Sequence, residues 1–140
     1  MYRAIEYLVA DGLIEATHTE PGAQGPHRTV YRATRTGKAH LARWLGEPVE
    51  HPRQVRSELL AKFVLRARRG DALTPLARRQ LELFAPVTDG LTRAARRATG
   101  ADRVVARWRL ESTRAITRTL EAIVADEALV PSRHGADADH

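Results

Sequence analysis

The stretch YRAIEYLVADGLIEATHTEPGAQGPHRTVYRATRTGKAHLARWLGEP, residues 2–48, decides how this chain is expected to fold. Its opening, residues 2–11, spaces Ile5, Leu8 and Val9 at i, i+3 and i+4, one face of a helix, with Arg3, Glu6, Tyr7 and Ala10 pointing away. Gly12 follows as a left-handed C-terminal cap, and Leu13 is placed for the apolar contact that accompanies such caps. Residues 13–19 then read as a short strand with Ile14 inward. A turn rich in glycine and proline (Pro21, Gly22, Gly25, Pro26) separates it from a second strand over 28–33, carrying Thr29, Val30 and Tyr31. Thr34 or Thr36 caps a helix that runs to about Leu45, with Leu41, Trp44 and Leu45 on its core face, and Gly46 and Pro48 end it.

Beyond this block the pattern is helical throughout. Residues 46–52 form a linker. A helix over 53–69 presents Val55, Leu59, Leu60, Phe63, Val64 and Ala67, and Gly70 stops it. Thr74 and Pro75 open a second helix bearing Leu76, Leu83, Phe84, Val87, Leu91 and Ala94, within which Pro86 is expected to kink or break the run. Gly100 precedes a last helix, about 102–128, striped by Val105, Trp108, Ile116, Leu120 and Ile123. Arg109 and Ser112 share that face, so it is no uninterrupted coiled-coil seam. The polar tail, 129–140, is expected to be disordered.

Composition narrows the function. The 140 residues contain no cysteine, which removes disulfides and thiolate chemistry, and no apolar run long enough to cross a membrane. The opening residues do not form a signal peptide, because Glu6 and Asp11 interrupt them, so a soluble cytoplasmic protein is expected. The net charge of +6 is uneven. Residues 49–100 carry most of the excess, yet Arg28, Arg32, Arg35, Lys38 and Arg43 also follow one another with no intervening acid. Such a stretch suits phosphates, although a solvated arginine surface gives the same pattern. The six histidines lack metal-ligand spacing, the Asp126–Glu127 pair reads as solvated charge, and no serine sits in a nucleophile-elbow context. No phosphate-binding or dinucleotide motif occurs, so neither an enzyme nor a cofactor is expected.

The order helix, strand, basic turn, strand, helix is that of the back half of a winged helix-turn-helix, whose recognition helix enters the major groove while the wing follows the backbone. The expected fold class is mainly α: a partial winged helix over 1–48, then an all-α dimerisation domain over 53–128. The first stretch, YRAIEYLVADGLIEA, resembles the YxxLxxLexxGLI segment of PadR-type transcriptional regulators. HRTVYRATRTGKAHLARWLGEP is similar to the segment that follows it there, with Tyr31, Thr34, Gly37, Leu41 and Trp44 at matching spacing. SELLAKFVLRA and RWRLESTRAITRTLEAI resemble the first and last helices of the longer C-terminal domain of one subgroup.

The resemblance implies a homodimeric repressor on a palindromic operator, with C-terminal helices exchanged across a two-fold axis. It also implies a possible small effector, phenolic or multidrug-like. Carried over residue by residue, DNA contacts would fall on Tyr2 and Arg3 of the recognition helix, on His27, Arg28 and Tyr31 of the wing, and on Lys38 at the start of the next helix. Phe63, Trp108, Ile116, Leu120 and Ile123 would serve dimerisation. Tyr2 fits equally as a boundary residue, Tyr31 as a strand aromatic in the core, and Trp108 as an interface residue or a ligand-stacking surface. Members of the family carry two helices ahead of the position of Met1, so the chain is expected to be an N-terminally truncated form. A competing expectation is a helical interaction module that does not itself read DNA.

Overall fold

The computed structural model describes residues 2–22 and 27–127. The centre of the glycine–proline turn (23–26) and the tail over 129–140 lie outside the described residues, as do the side chains of Tyr2 and Glu127. The chain is mainly helical with one two-stranded antiparallel sheet, and it divides into two compact units, Met1–Gly46 and Glu47–His140.

In the first unit, α1 (Tyr2–Ala10) ends as its sequence dictates. Gly12 takes φ +67°, its N–H reaches the Val9 carbonyl at 3.0 Å, and the Leu13 N–H reaches that of Leu8 at 2.9 Å. This is the Schellman pair of hydrogen bonds that satisfies the last carbonyls of a helix. The chain emerges as β1 (Ile14–Glu20), which pairs antiparallel with β2 (Arg28–Ala33). The register runs Ile14 to Ala33, Glu15 to Arg32 and Ala16 to Tyr31, then slips by one residue before His18 to Val30. Thr17 is the extra residue of this bulge, and its Oγ1 donates to the Val30 carbonyl at 3.0 Å.

α2 (Arg35–Gly46) begins at a compact knot. The Thr34 N–H and Oγ1 both donate to the Leu13 carbonyl (3.0 and 3.2 Å), and Oγ1 also lies 2.6 Å from the Gly12 carbonyl. The same Oγ1 accepts the Gly37 N–H at 3.0 Å, which makes Thr34, not Thr36, the N-cap. A Cβ placed on Gly37 would stand 1.9 Å from the Leu13 carbonyl oxygen, so only glycine admits this approach. The apolar face expected on α1 is thinly covered in this unit. Ile5 is half-buried, while Leu8 and Val9 remain 39% and 44% exposed. Among the described residues of this unit, Leu45 is the fully buried hydrophobic one.

The second unit is built by packing. α3 (Pro52–Gln54) passes through a π-helical turn (Val55–Leu59) into α4 (Leu60–Arg69), which ends at Gly70 with φ +73°. α5 (Thr74–Arg97) and α6 (Gly100–Glu127) form a long helical hairpin. The core joins Val49, Leu59, Phe63, Leu76, Ala77, Phe84 and Leu120.

Several sequence expectations need correction here. α5 does not break at Pro86 but continues to Arg97. A proline removes one N–H from the helical ladder, and tertiary packing can outweigh that loss. The stripe expected on α6 holds at Ile116, Leu120 and Ile123, which lie in or against the core, but fails at its N-terminal end. Trp108 and Val105 are 76% and 49% exposed, while Leu110, Thr113 and Leu120 are the buried residues. On α4, Leu60 and Val64 are exposed and Lys62 is buried.

Residues 47–49, expected as linker, belong to this helical unit. Gln80, fully buried, donates from Nε2 to the Val49 carbonyl (2.8 Å) and accepts the Val49 N–H on Oε1 (2.7 Å). Lys62, 1% exposed, places its ammonium 2.7 Å from the Glu47 carbonyl and 2.9 Å from the Glu58 carboxylate. Two buried polar side chains therefore hold an irregular segment whose backbone groups have no ladder of their own.

Candidate nucleic-acid interface

The basic residues of the hairpin stand on its strands opposite carboxylates. Register brings Arg28 across from Glu20 and Arg32 across from Glu15. Arg28 donates to Glu20 Oε2 from Nε at 2.9 Å and from a terminal nitrogen at 2.6 Å, and Arg32 Nε lies 2.7 Å from Glu15 Oε1. The other Glu20 oxygen lies 2.9 Å from His18 Nε2. Glu20 is thus held below the ordinary carboxylate range, first by the Arg28 guanidinium and then by His18, against a small opposing effect of desolvation. The stretch that is free of acids in sequence is not free of them in space.

These pairs are exposed: the Arg28 and Arg32 side chains keep 73% and 70% of their surface in solvent. Exposed ion pairs contribute only about 0–1 kcal/mol, so exchanging a carboxylate for a phosphate oxygen costs little. A guanidinium also has five N–H donors, and Arg28 commits two nitrogens to Glu20. Each arginine is therefore oriented by its partner and keeps donors for an incoming anion.

The structure places the other candidates as follows. His27 is exposed beside Arg28 at the start of β2, and Tyr31 on the same strand is 38% exposed rather than buried. Arg3 is exposed on α1; Tyr2 opens that helix, and its side chain lies outside the described residues. Lys38 is exposed in the first turn of α2, with its N–H on the Thr34 carbonyl at 2.9 Å. His18, Glu20 and Arg28 form one linked network, to which Arg3 and Lys38 do not belong. Sequence reading placed Arg32 in the acid-free basic stretch but named neither it nor His18 among the DNA contacts. Strict pairing of the two strands would have found Arg32, since it faces Glu15, and strand alternation would have found His18, which stands two residues from Glu20 on the same face of β1.

Of the residues expected to pair chains, Phe63 (8% exposed) and Leu120 (2%) are taken up by the core of their own unit. Ile116 and Ile123 pack against that core and are half-buried. Trp108 stands free, with Val104 (71% exposed) and Val105 nearby on α6. A cavity of about 560 Å³ lies beside Trp108, lined also by Val87, Leu91, Arg53 and Arg109.

Among the described residues no cluster of three metal-ligating side chains occurs, and no helix is long and apolar enough to cross a membrane. No protein-family model matches the chain, and no curated protein matches it.

Proposed function

We propose that this chain is a PadR-type transcriptional regulator, a repressor that binds duplex operator DNA as a homodimer through a winged-helix unit. The observation that carries the reading is the hairpin: exposed Arg28 and Arg32, each oriented on a carboxylate, directly follow a helix whose outer face presents Arg3. The Gly12–Thr34–Gly37 knot supports it, because it joins the end of α1, the hairpin and the start of α2 through backbone groups. In this reading α1 reads base edges in the major groove, and Arg28, His27 and Lys38 meet phosphates.

Fluorescence anisotropy with a labelled duplex tests it. Binding is expected to fall steeply with salt, and Arg28→Ala is expected to weaken it for every sequence and to reduce the salt slope by about 1. Absence of duplex binding at low salt, in this chain and in a version extended by helices upstream of Met1, overturns the reading.

A second reading has its own observation, the exposed Val104, Val105 and Trp108 on α6. In it the helical unit is an interaction module that pairs chains without reading DNA. Light scattering that finds only monomers counts against it, and against the homodimer of the first reading.

A further inference from the structure

A second concentration of positive charge lies where α5 gives way to α6. A cleft of about 400 Å³ there is lined by Arg96, Arg103, Arg107 and Arg114, with Thr92 and Thr99 beside them. The four arginines come from two helices and line one concavity. Their acidic company is a single residue: Glu111 Oε1 lies 3.2 Å from Arg107 and 3.1 Å from Arg114. Neither Arg96 nor Arg103 has an ion-pair partner among the described residues.

Helix electrostatics accounts for only part of this. Arg96 stands in the last turn of α5, where the helix end favours a cation. Arg103 stands in the first turn of α6, where the helix end already carries partial positive charge and a cation is disfavoured. Asp102 occupies the same turn but is exposed and forms no part of the cleft wall. Arg103 therefore adds positive charge at a helix end that disfavours it. A cleft so lined raises the local concentration of anions, and paired guanidiniums match the geometry of phosphate oxygens.

The geometry points to a binding site for a small ligand bearing vicinal phosphates, such as free pyrophosphate or the diphosphate of a nucleotide. The two unpaired arginines would hold the phosphates, and the threonine hydroxyls supply further hydrogen bonds. A bounded concavity suits a compact anion better than the extended backbone of a nucleic acid, which calls for cations spaced along a line. The site lies wholly within Glu47–His140 and does not depend on whether the hairpin binds DNA.

Isothermal titration calorimetry of the full chain at low salt, with pyrophosphate, orthophosphate and ADP as separate titrants, tests this. Saturable binding of pyrophosphate or ADP is expected, tighter than that of orthophosphate. The stronger of the two identifies the source of the phosphates. The double variant Arg96→Ala/Arg103→Ala is expected to weaken binding about tenfold or more, while Arg118→Ala, exposed on α6 outside the cleft, leaves it unchanged. Thermal unfolding of each variant confirms that the helical unit remains intact. The proposal is overturned by absence of saturable binding at millimolar pyrophosphate. Equal losses in the double variant and in Arg118→Ala also overturn it, since they indicate diffuse attraction. So does a double variant that loses affinity for a duplex oligonucleotide while the wild-type chain ignores pyrophosphate.

Discussion

The two units of this chain are stabilised by different means. Glu47–His140 buries a contiguous apolar cluster from Val49 to Leu120 and fixes its irregular entry with two buried polar side chains, Gln80 and Lys62. Met1–Gly46 has Leu45 as the fully buried hydrophobic residue among those described, and its order rests on backbone hydrogen bonds at Gly12, Thr34 and Gly37 and on cross-strand ion pairs. Apolar burial near 25 cal/mol per Å² dominates folding, whereas surface ion pairs contribute little. The helical unit should therefore be the stable body. The hairpin unit should be the more readily opened one, as is common for binding surfaces.

Four substitutions would break or sharpen that contrast. Phe84→Ala empties a side chain that is 1% exposed at the centre of the helical core, and it is expected to cost about 3–5 kcal/mol in denaturant unfolding. A loss much below that would mean the helical unit is not held by its core. Gln80→Leu keeps the volume but strips the Val49 N–H and carbonyl of their partners. It is expected to cost about 1–3 kcal/mol for each orphaned group, and amide exchange at Val49 should accelerate. Unchanged exchange there would show that residues 47–49 are held by other contacts.

In the hairpin unit, Gly37→Ala sets a Cβ against the Leu13 carbonyl, and about 1–3 kcal/mol is expected to be lost. Alanine's better helix propensity returns only about 0.5–1 kcal/mol. Heteronuclear NMR should show hairpin amides collapsing towards random-coil shifts while those of α5 and α6 stay in place. Spread of the perturbation into α5 and α6 would dissolve the distinction between the units.

The smallest effect concerns acid. Because Arg28 and His18 lower the Glu20 pKa from its ordinary value of 4.5, the pair stabilises the folded hairpin above that value. The contribution is lost as pH falls through the lowered pKa. Hairpin shifts should therefore titrate below pH 4.5, and Glu20→Gln should abolish that step. Persistence of the step in the variant would show that it does not belong to Glu20.

Much of the local architecture was legible from residue type. Gly12 and Gly70 end helices because glycine alone enters the left-handed region without strain, and β2 falls at the expected residues, 28–33. The candidate surface was read in part. Arg28 and His27 lie where the spacing puts them, but the carboxylates that orient the arginines depend on strand register. On α6 the stripe was legible at Ile116, Leu120 and Ile123, but nearer the start of the helix apolar residues surround it and periodicity could not choose between Trp108 and Leu110.

By itself, the sequence determined the element order, the left-handed glycine ends at Gly12 and Gly70, the basic character of the hairpin and the mainly helical nature of residues 52–127. These follow from backbone preferences and short-range spacing, which act within a few residues. Only the tertiary structure decided which apolar face became core, that α5 continues through Pro86, that Gln80 and Lys62 hold the entry segment, and that four arginines line one cleft beside Thr99. Each of those depends on residues far apart in the chain meeting in space, where burial and hydrogen-bond satisfaction outweigh local propensity.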